Sequence, residues 1–302
     1  MKIGVFQNRP GIGDMCVFLP YIHKIAIHYN SKIILFTKRR SKAKEFLYQD
    51  PYIKKIIYID DIKKKYGFKI FKLIYIFKFD KVFIFHFGIK FYVQCILAKI
   101  KSINFYGFFK RNVSITGYLN SKVKKWLKIK NLNYQCKIYL SNTNIKLNNY
   151  NVIIGIGGSG SNKKWPIASY INLIKLIHNK NNKLNFVIAG GLEEKKDFEM
   201  IKKNLPNIQL KSLINLSIKE SLNHIVGSKF YVGNDTGFMH LCGMLNITSF
   251  GLFGDTPTDY INYNPHLVAI IPENYKTISQ NSSAMSKIKY DYVFKKIKKI
   301  IN

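Results

Sequence analysis

Acidic side chains are scarce in this chain: 16 Asp and Glu stand against 49 Lys and Arg, a formal net charge of +33 over 302 residues. From Lys81 to Tyr150 there is none at all. Residues 1–150 carry 30 basic against 6 acidic groups, and residues 151–302 carry 19 against 10. Such a surface seeks phosphates, whether of nucleic acid, anionic lipid or a phosphorylated glycan. Richness in Lys, Asn, Ile, Phe and Tyr points to a compositional bias behind part of the excess, but that bias does not explain the skew between halves. Paired cysteines are also missing. Cys16, Cys95, Cys136 and Cys242 form no Cys-x-x-Cys, so neither a disulfide framework nor a zinc site is expected, and a reducing cytoplasm fits. Long apolar runs are absent too. The richest stretch, Phe71 to Ile100, is broken by five lysines and Asp80, which argues against a membrane span. The chain opens on a strand-like Lys2–Phe6 with no signal-peptide pattern.

What is present alternates short apolar strands with amphipathic helices, the pattern of parallel α/β layers. In the first half, strands are expected at Ile3–Gln7, Lys32–Thr37, Ile56–Ile59, Val82–Phe87 and Asn104–Phe108. Helices are expected at Phe18–Tyr29, Ala43–Tyr48 and Phe91–Ile100. Residues 110–148 show no clear periodicity, and 141–149 read as a polar linker. The alternation restarts at Val152–Ile156 and runs through Phe186–Ala189, Phe230–Val232 and Thr248–Phe253, with helices between. Ser217 and Glu220 form a capping box. Two domains follow, 1–148 and 149–302, with a basic amphipathic helix from about 288 to 302 expected to pack back on the first domain.

Three strand ends in the second half carry chemistry. Gly155-Ile156-Gly157-Gly158-Ser159-Gly160 matches Gly-x-Gly-x-x-Gly after a strand. A dinucleotide would need an acidic residue about 20 positions on, and none occurs between Gly160 and Glu193. What remains is a glycine turn that brings Ser159, Ser161, Lys163 and Lys164 to a helix start, a set suited to a diphosphate. Gly190-Gly191-Leu192-Glu193-Glu194 offers carboxylates either to ribose hydroxyls or to the dipole of the following helix. Gly233-Asn234-Asp235-Thr236-Gly237-Phe238-Met239-His240 marks a strand-to-helix junction whose exposed N–H groups suit phosphate. Asp235 could equally cap that helix, and His240 could be a packing residue or a phosphate donor. Near the N-terminus, Gly11-Ile12-Gly13-Asp14 follows the first strand, and Asp14 reads as either a cap or a general base. His86, at a strand end, could line the same side.

Together these segments resemble glycosyltransferase family 9, the heptosyltransferases of lipopolysaccharide core assembly. The resemblance rests on Gly11-Ile12-Gly13-Asp14 with Pro20, and on Gly157-Gly158-Ser159-x-x-x-Lys163-x-Trp165-Pro166. It rests further on Ala189-Gly190-Gly191-x-x-Glu194, and on Asp235-Thr236-Gly237-x-x-His240-Leu241 with Leu252-Phe253-Gly254. Asp80–His86 with Phe105-Tyr106-Gly107 is similar to the family's acceptor-domain pattern.

The resemblance implies a GT-B type α/β fold: two facing Rossmann-like domains with parallel sheets and an interdomain cleft. It also implies an inverting, metal-independent transfer with no cofactor beyond the nucleotide-sugar donor, ADP-heptose. By resemblance Asp14 is the base and Lys163 neutralises the leaving diphosphate. Thr236, Gly237 and His240 hold the donor phosphates and Glu194 or Glu193 the ribose, with Ser159, Lys164 and Asp235 also on the donor side. Gly11, Gly13 and His86 fall on the acceptor side. The expected partners are a phosphorylated lipid-linked glycan and, by charge, the inner face of the cytoplasmic membrane, with no specific nucleic acid. Where the family has Pro-Thr-Asp-Pro after Gly254, this chain has Asp255-Thr256-Pro257-Thr258, which leaves the donor sugar open. The same fold with another sugar or acceptor is one alternative, and a non-enzymatic binder of nucleic acid or anionic lipid is another.

Overall fold

The computed structural model describes residues 1–61, 69–85, 89–107, 114–140 and 150–301, with only the backbone of residues 69 and 70. His86 and the expected linker 141–149 lie outside the described residues. The chain divides into two compact units, Met1–Ser141 and Asn142–Asn302.

In the first unit, β1 (Ile3–Phe6), β2 (Ile33–Thr37), β3 (Ile53–Tyr58), β4 (Lys81–Ile84) and β5 (Ser102–Phe105) form a wholly parallel sheet in the order β3-β2-β1-β4-β5. Parallel neighbours need crossovers, and α1 (Ile12–His28), α2 (Ala43–Phe46), α3 (Lys69–Phe77) and α4 (Ile89–Leu97) lie in them. Helices on both faces bury every residue of β1, which explains its unbroken apolar run. Phe6, Phe36, Val82 and Ile84 are at the centre of the core. Helix α1 begins at Ile12, not at Phe18 as its apolar period suggested. Gly11 is the N-cap and Pro20 lies inside the helix. The missing proline amide costs less than the buried side chains from Met15 to Ile25 contribute. A second difference is α5 (Ile115–Leu127), within the stretch that showed no periodicity. Ser114 caps it by accepting the Gly117 N–H at 3.0 Å, and Leu119, Val123 and Leu127 form its narrow buried stripe against α1. Lys and Asn on its other faces hide that stripe in the sequence.

The second unit repeats the plan. β6 (Asn151–Gly155), β7 (Asn185–Ala189), β8 (Leu210–Ser212), β9 (Phe230–Asn234), β10 (Ser249–Leu252) and β11 (Leu267–Ile270) pair in parallel in the order β11-β10-β9-β6-β7-β8. Around them lie α6 (Ile167–Lys180), α7 (Lys195–Asn204), α8 (Ile218–Ile225), α9 (Gly237–Met244) and α10 (Tyr290–Ile301). The capping box at Ser217 and Glu220 opens α8. The C-terminal helix departs from expectation. Val293, Ile297 and Ile301 of α10 are fully buried in the core of this unit, and the helix packs on α6. Its apolar stripe therefore finds its cover inside the unit that contains it.

The strand order reverses between β1 and β4 in one unit and between β6 and β9 in the other. Ligands of open α/β sheets gather outside the carboxyl ends of strands at such points.

Candidate functional site

At the β6/β9 reversal the two strands approach unusually closely. Gly155 pairs with Gly233, and a Cβ on either would collide, with the Tyr231 hydroxyl in one case and with the Gly155 backbone in the other. Beyond them three loops meet. A Cβ on Gly157, after β6, would contact Gly190 and Glu194 after β7 at 3.5 and 3.6 Å, and Thr236 after β9 at 3.9 Å. The segments picked out separately in the sequence of this half thus come together at one end of one sheet.

Asn234 ties them. Fully buried, it donates from Nδ2 to the carbonyls of Ile156 (3.0 Å) and Gly157 (2.9 Å). Its Oδ1 accepts the Trp165 N–H at 3.0 Å and lies 2.8 Å from the Tyr170 hydroxyl. Three of the four hydrogen-bonding positions of the amide are filled by backbone groups, and the single Tyr170 proton is shared between Oδ1 and the Gly155 carbonyl at 2.7 Å. The glycine loop between Gly157 and Trp165 is thereby held at both ends, with Ser159 exposed at its tip and Lys163 half-buried in a 3-10 turn. Among the described residues Lys163 has no carboxylate within ion-pair distance. Sequence reasoning passed over Asn234 because asparagine at a strand end reads as a turn former. Its place between Gly233 and Asp235 was the available signal.

The two glutamates separate. Glu194 is buried, accepts the Gly191 N–H at 2.7 Å and pairs with Lys164 Nζ at 2.7 Å. That contact raises the Lys164 amine above its ordinary value. Glu193 is exposed. Lys164 therefore belongs to the wall of the site, and Glu193 is the glutamate open to solvent.

Helix α9 starts at Gly237 with Thr236 as N-cap and no side-chain cap, so the N–H groups of its first turn are not taken by a side chain. Asp235 does not cap it. Its Oδ1 accepts the Tyr260 hydroxyl and lies 3.6 Å from His240 Nε2. His240 is itself buried, with Nδ1 2.8 Å from the Tyr263 hydroxyl. Both imidazole nitrogens thus face protein groups, and Tyr260 and Tyr263 complete a cluster that the abundance of tyrosine concealed. Asp255, where the family motif has proline, is also turned inward: its Oδ1 accepts the Ser283 N–H at 2.9 Å.

In the first unit, Asp14 lies on the first turn of α1 beyond β1. Its Oδ2 accepts the Gly11 N–H at 3.1 Å, and Oδ1 is 3.4 Å from Arg9 Nη1. A Cβ on Gly11 would come within 2.9 Å of that carboxylate and would push it aside; Gly13 is half-buried in the same turn. Asp14 does cap its helix, yet 30 % of its side chain stays exposed. Nearby strand ends bring three buried polar atoms without partners among the described residues: Gln7 Nε2, Asn8 Oδ1 and the Tyr106 hydroxyl. Buried polar atoms are normally paired, so these mark a place where a polar ligand can be received. Burial raises the Tyr106 phenol, opposed by the charge of Arg9.

Among the described residues no trio of His, Cys, Asp or Glu gathers in a way that could hold a metal ion. No helix among them is long and apolar enough to cross a membrane.

Two parallel Rossmann-like sheets, each with glycine-rich loops at a strand-order reversal, define a GT-B type protein. Residues 105–298 match the model of glycosyltransferase family 9 (heptosyltransferase), and the chain belongs to that family. It is 29% identical over 170 residues to lipooligosaccharide heptosyltransferase 2 of Campylobacter jejuni, across 51% of this chain and 53% of that protein. The chain thus spans about half the length of this relative. In fold it is similar to the ADP-heptose LPS heptosyltransferase II of E. coli, with a TM-score of 0.75 at 15% identity over 100% of this chain and 98% of the other. The E. coli heptosyltransferase WaaC, solved with ADP, is similar with a TM-score of 0.75 at 14% identity over 99% and 100%.

Proposed function

We propose that this chain transfers a sugar, heptose from ADP-heptose, onto a lipopolysaccharide core or related lipid-linked glycan, with inversion and without a metal. The observation that supports it most is the meeting of Gly157, Gly190, Glu194 and Thr236 beside a helix start that no side chain caps. That arrangement offers N–H donors, a hydroxyl and the Lys163 ammonium to a diphosphate. The donor half of the reaction is assigned to residues 149–302 and the acceptor half to residues 1–148. Adenosine diphosphate as carrier is supported by the likeness to the E. coli protein solved with ADP.

In this reading Asp14 removes the proton from the acceptor hydroxyl as its oxygen bonds to the anomeric carbon. The bond from that carbon to the β-phosphate oxygen breaks, and its electron pair leaves with ADP. Attack from the face opposite the leaving group inverts the centre. Thr236, Gly237 and the first N–H groups of α9 hold the phosphates, while Lys163 and Ser159 meet the charge that develops on the leaving oxygen. Glu193 reaches the ribose, and Glu194 with Lys164 stiffens the loop behind it. His240 holds Asp235 in place. His86 and Gly13 stay assigned to the acceptor side. The lysine excess of the first half holds a phosphorylated acceptor at the inner face of the cytoplasmic membrane.

The same excess favours one rival, a polyanion binder without catalysis. Two measurements separate them. ADP should raise the melting temperature more than UDP, GDP or CMP do. Asp14→Asn, which keeps an acceptor for the Gly11 N–H, should fold normally, bind polyanions as the parent does and lose transfer by roughly a hundredfold or more. Unchanged transfer in that variant, or turnover abolished by EDTA, would overturn the corresponding part of the mechanism.

A further inference from the structure

Exposed large apolar side chains are concentrated on two helices of the first unit. On α4, Ile89, Val93, Ile96 and Leu97 are 60, 44, 51 and 62% exposed. Their spacing of four, three and one places them on a single helical stripe turned to solvent, while Cys95 faces the core. The neighbouring α3 adds Tyr75 and Ile76 at 58 and 57%. A helix with a buried face normally turns polar residues outward. Here both faces of α4 are apolar.

The rim is cationic. Lys72, Lys78, Lys90, Lys99 and Lys101 are all exposed on or just beyond these helices. The one acidic residue in 69–107 is Asp80, whose Oδ2 already accepts the Lys2 backbone N–H at 2.7 Å. Apolar side chains ringed by lysine fit the boundary between anionic headgroups and acyl chains. A second copy of the chain fits poorly, because pairing two such faces would set lysine rim against lysine rim.

We propose that α3 and α4 form a docking surface for an anionic lipid bilayer, with Val93, Ile96 and Leu97 entering the headgroup layer and the lysines pairing with lipid phosphates. The surface deepens the proposed function, resting on it for its purpose of meeting a lipid-linked acceptor; its chemistry stands on residues 69–101 alone.

Flotation of the full chain with phosphatidylcholine vesicles, plain or containing about one third phosphatidylglycerol, tests it. The chain should float with the anionic vesicles and much less with the plain ones. Val93→Ser with Ile96→Ser and Leu97→Ser should weaken that binding roughly tenfold or more. Lys90→Glu with Lys99→Glu should weaken it by a similar factor, most at low salt. A cooperative melting transition close to the parent's in both variants shows that they fold. No flotation of the parent, or equal flotation of parent and serine variant, overturns the proposal, as does a serine variant that abolishes only a concentration-dependent dimer. Flotation without any response to ADP would leave this surface standing and remove the donor reading; the reverse would do the opposite.

Discussion

The side-chain oxygen of Asn234 accepts the backbone N–H of Trp165 at 3.0 Å, joining the end of β9 to the end of the glycine loop 69 positions earlier in the chain. The same amide holds the start of that loop through Ile156 and Gly157. Asn234→Ala would leave two carbonyls and an N–H buried without partners. We expect a loss of about 3 kcal/mol or more in urea unfolding, with weaker ADP binding in any variant that still folds. A loss below about 0.5 kcal/mol, within the range of surface substitutions, would show that the loop holds itself.

Lys164 and Glu194 give a pH signature. The Lys164 amine is raised above the ordinary lysine value, first by its hydrogen bond to Glu194. A raised value means that the pair contributes its full stability below the ordinary lysine range and loses it as pH climbs through the folded value. Stability should therefore fall at the alkaline end, and Glu194→Gln should flatten that fall. At neutral pH, Lys164→Met should cost about 1–3 kcal/mol because it leaves the buried Glu194 charge uncompensated. Exposed Glu193→Gln should stay within about 0.5 kcal/mol. Equal costs at the two positions would contradict the division of labour between the glutamates.

Tyr106 makes the opposite prediction for stability. Its hydroxyl is buried and has no hydrogen-bond partner among the described residues, so Tyr106→Phe should leave the melting temperature unchanged or raise it. If the hydroxyl receives the acceptor, the same variant should raise the acceptor KM while the ADP response stays intact. A destabilised Tyr106→Phe would mean that water or protein already satisfies that oxygen.

The buried thiols should be inert in the folded state. Burial pushes Cys95 and Cys136 up to about 12, and Cys16 higher still. At pH 8 a thiol near 12 is ionised on the order of a thousandfold less than an ordinary one. Iodoacetamide labelling followed by mass spectrometry should find Cys16 and Cys95 unmodified until denaturant is added, with half-buried Cys136 reacting slowly. Rapid native labelling of Cys16 or Cys95 would contradict the packing around them.

Much of this was legible before any coordinates. Short unbroken apolar runs followed by glycine-bearing loops located β1, β6, β7 and β9, and those loops carry the candidate site residues. Helix α5 stayed hidden because one buried residue in four, amid Lys and Asn, is too sparse a signal to rise above composition. The apolar period placed the start of α1 at Phe18, because Gly11 and Gly13 make its true first turn read as loop. The partners of single side chains were out of reach. No spacing rule tells that Glu194 turns in to Lys164 while Glu193 points out, or that Tyr260 and Tyr263 close over Asp235 and His240. Those facts depend on which strands become neighbours, and sheet order is a long-range property.

The Gly155–Gly233 contact restricts how this part of the molecule can change. A side chain at 155 collides with the Tyr231 hydroxyl, and one at 233 collides with the Gly155 carbonyl. Shortening Tyr231 to make room would cut its hydrogen bond to the Asn234 carbonyl at 2.7 Å, loosening the turn that leads into α9. Any mutational path through these three positions must cross a damaged intermediate, so they should drift as a block or stay put, whatever sugar the surrounding loops come to accept.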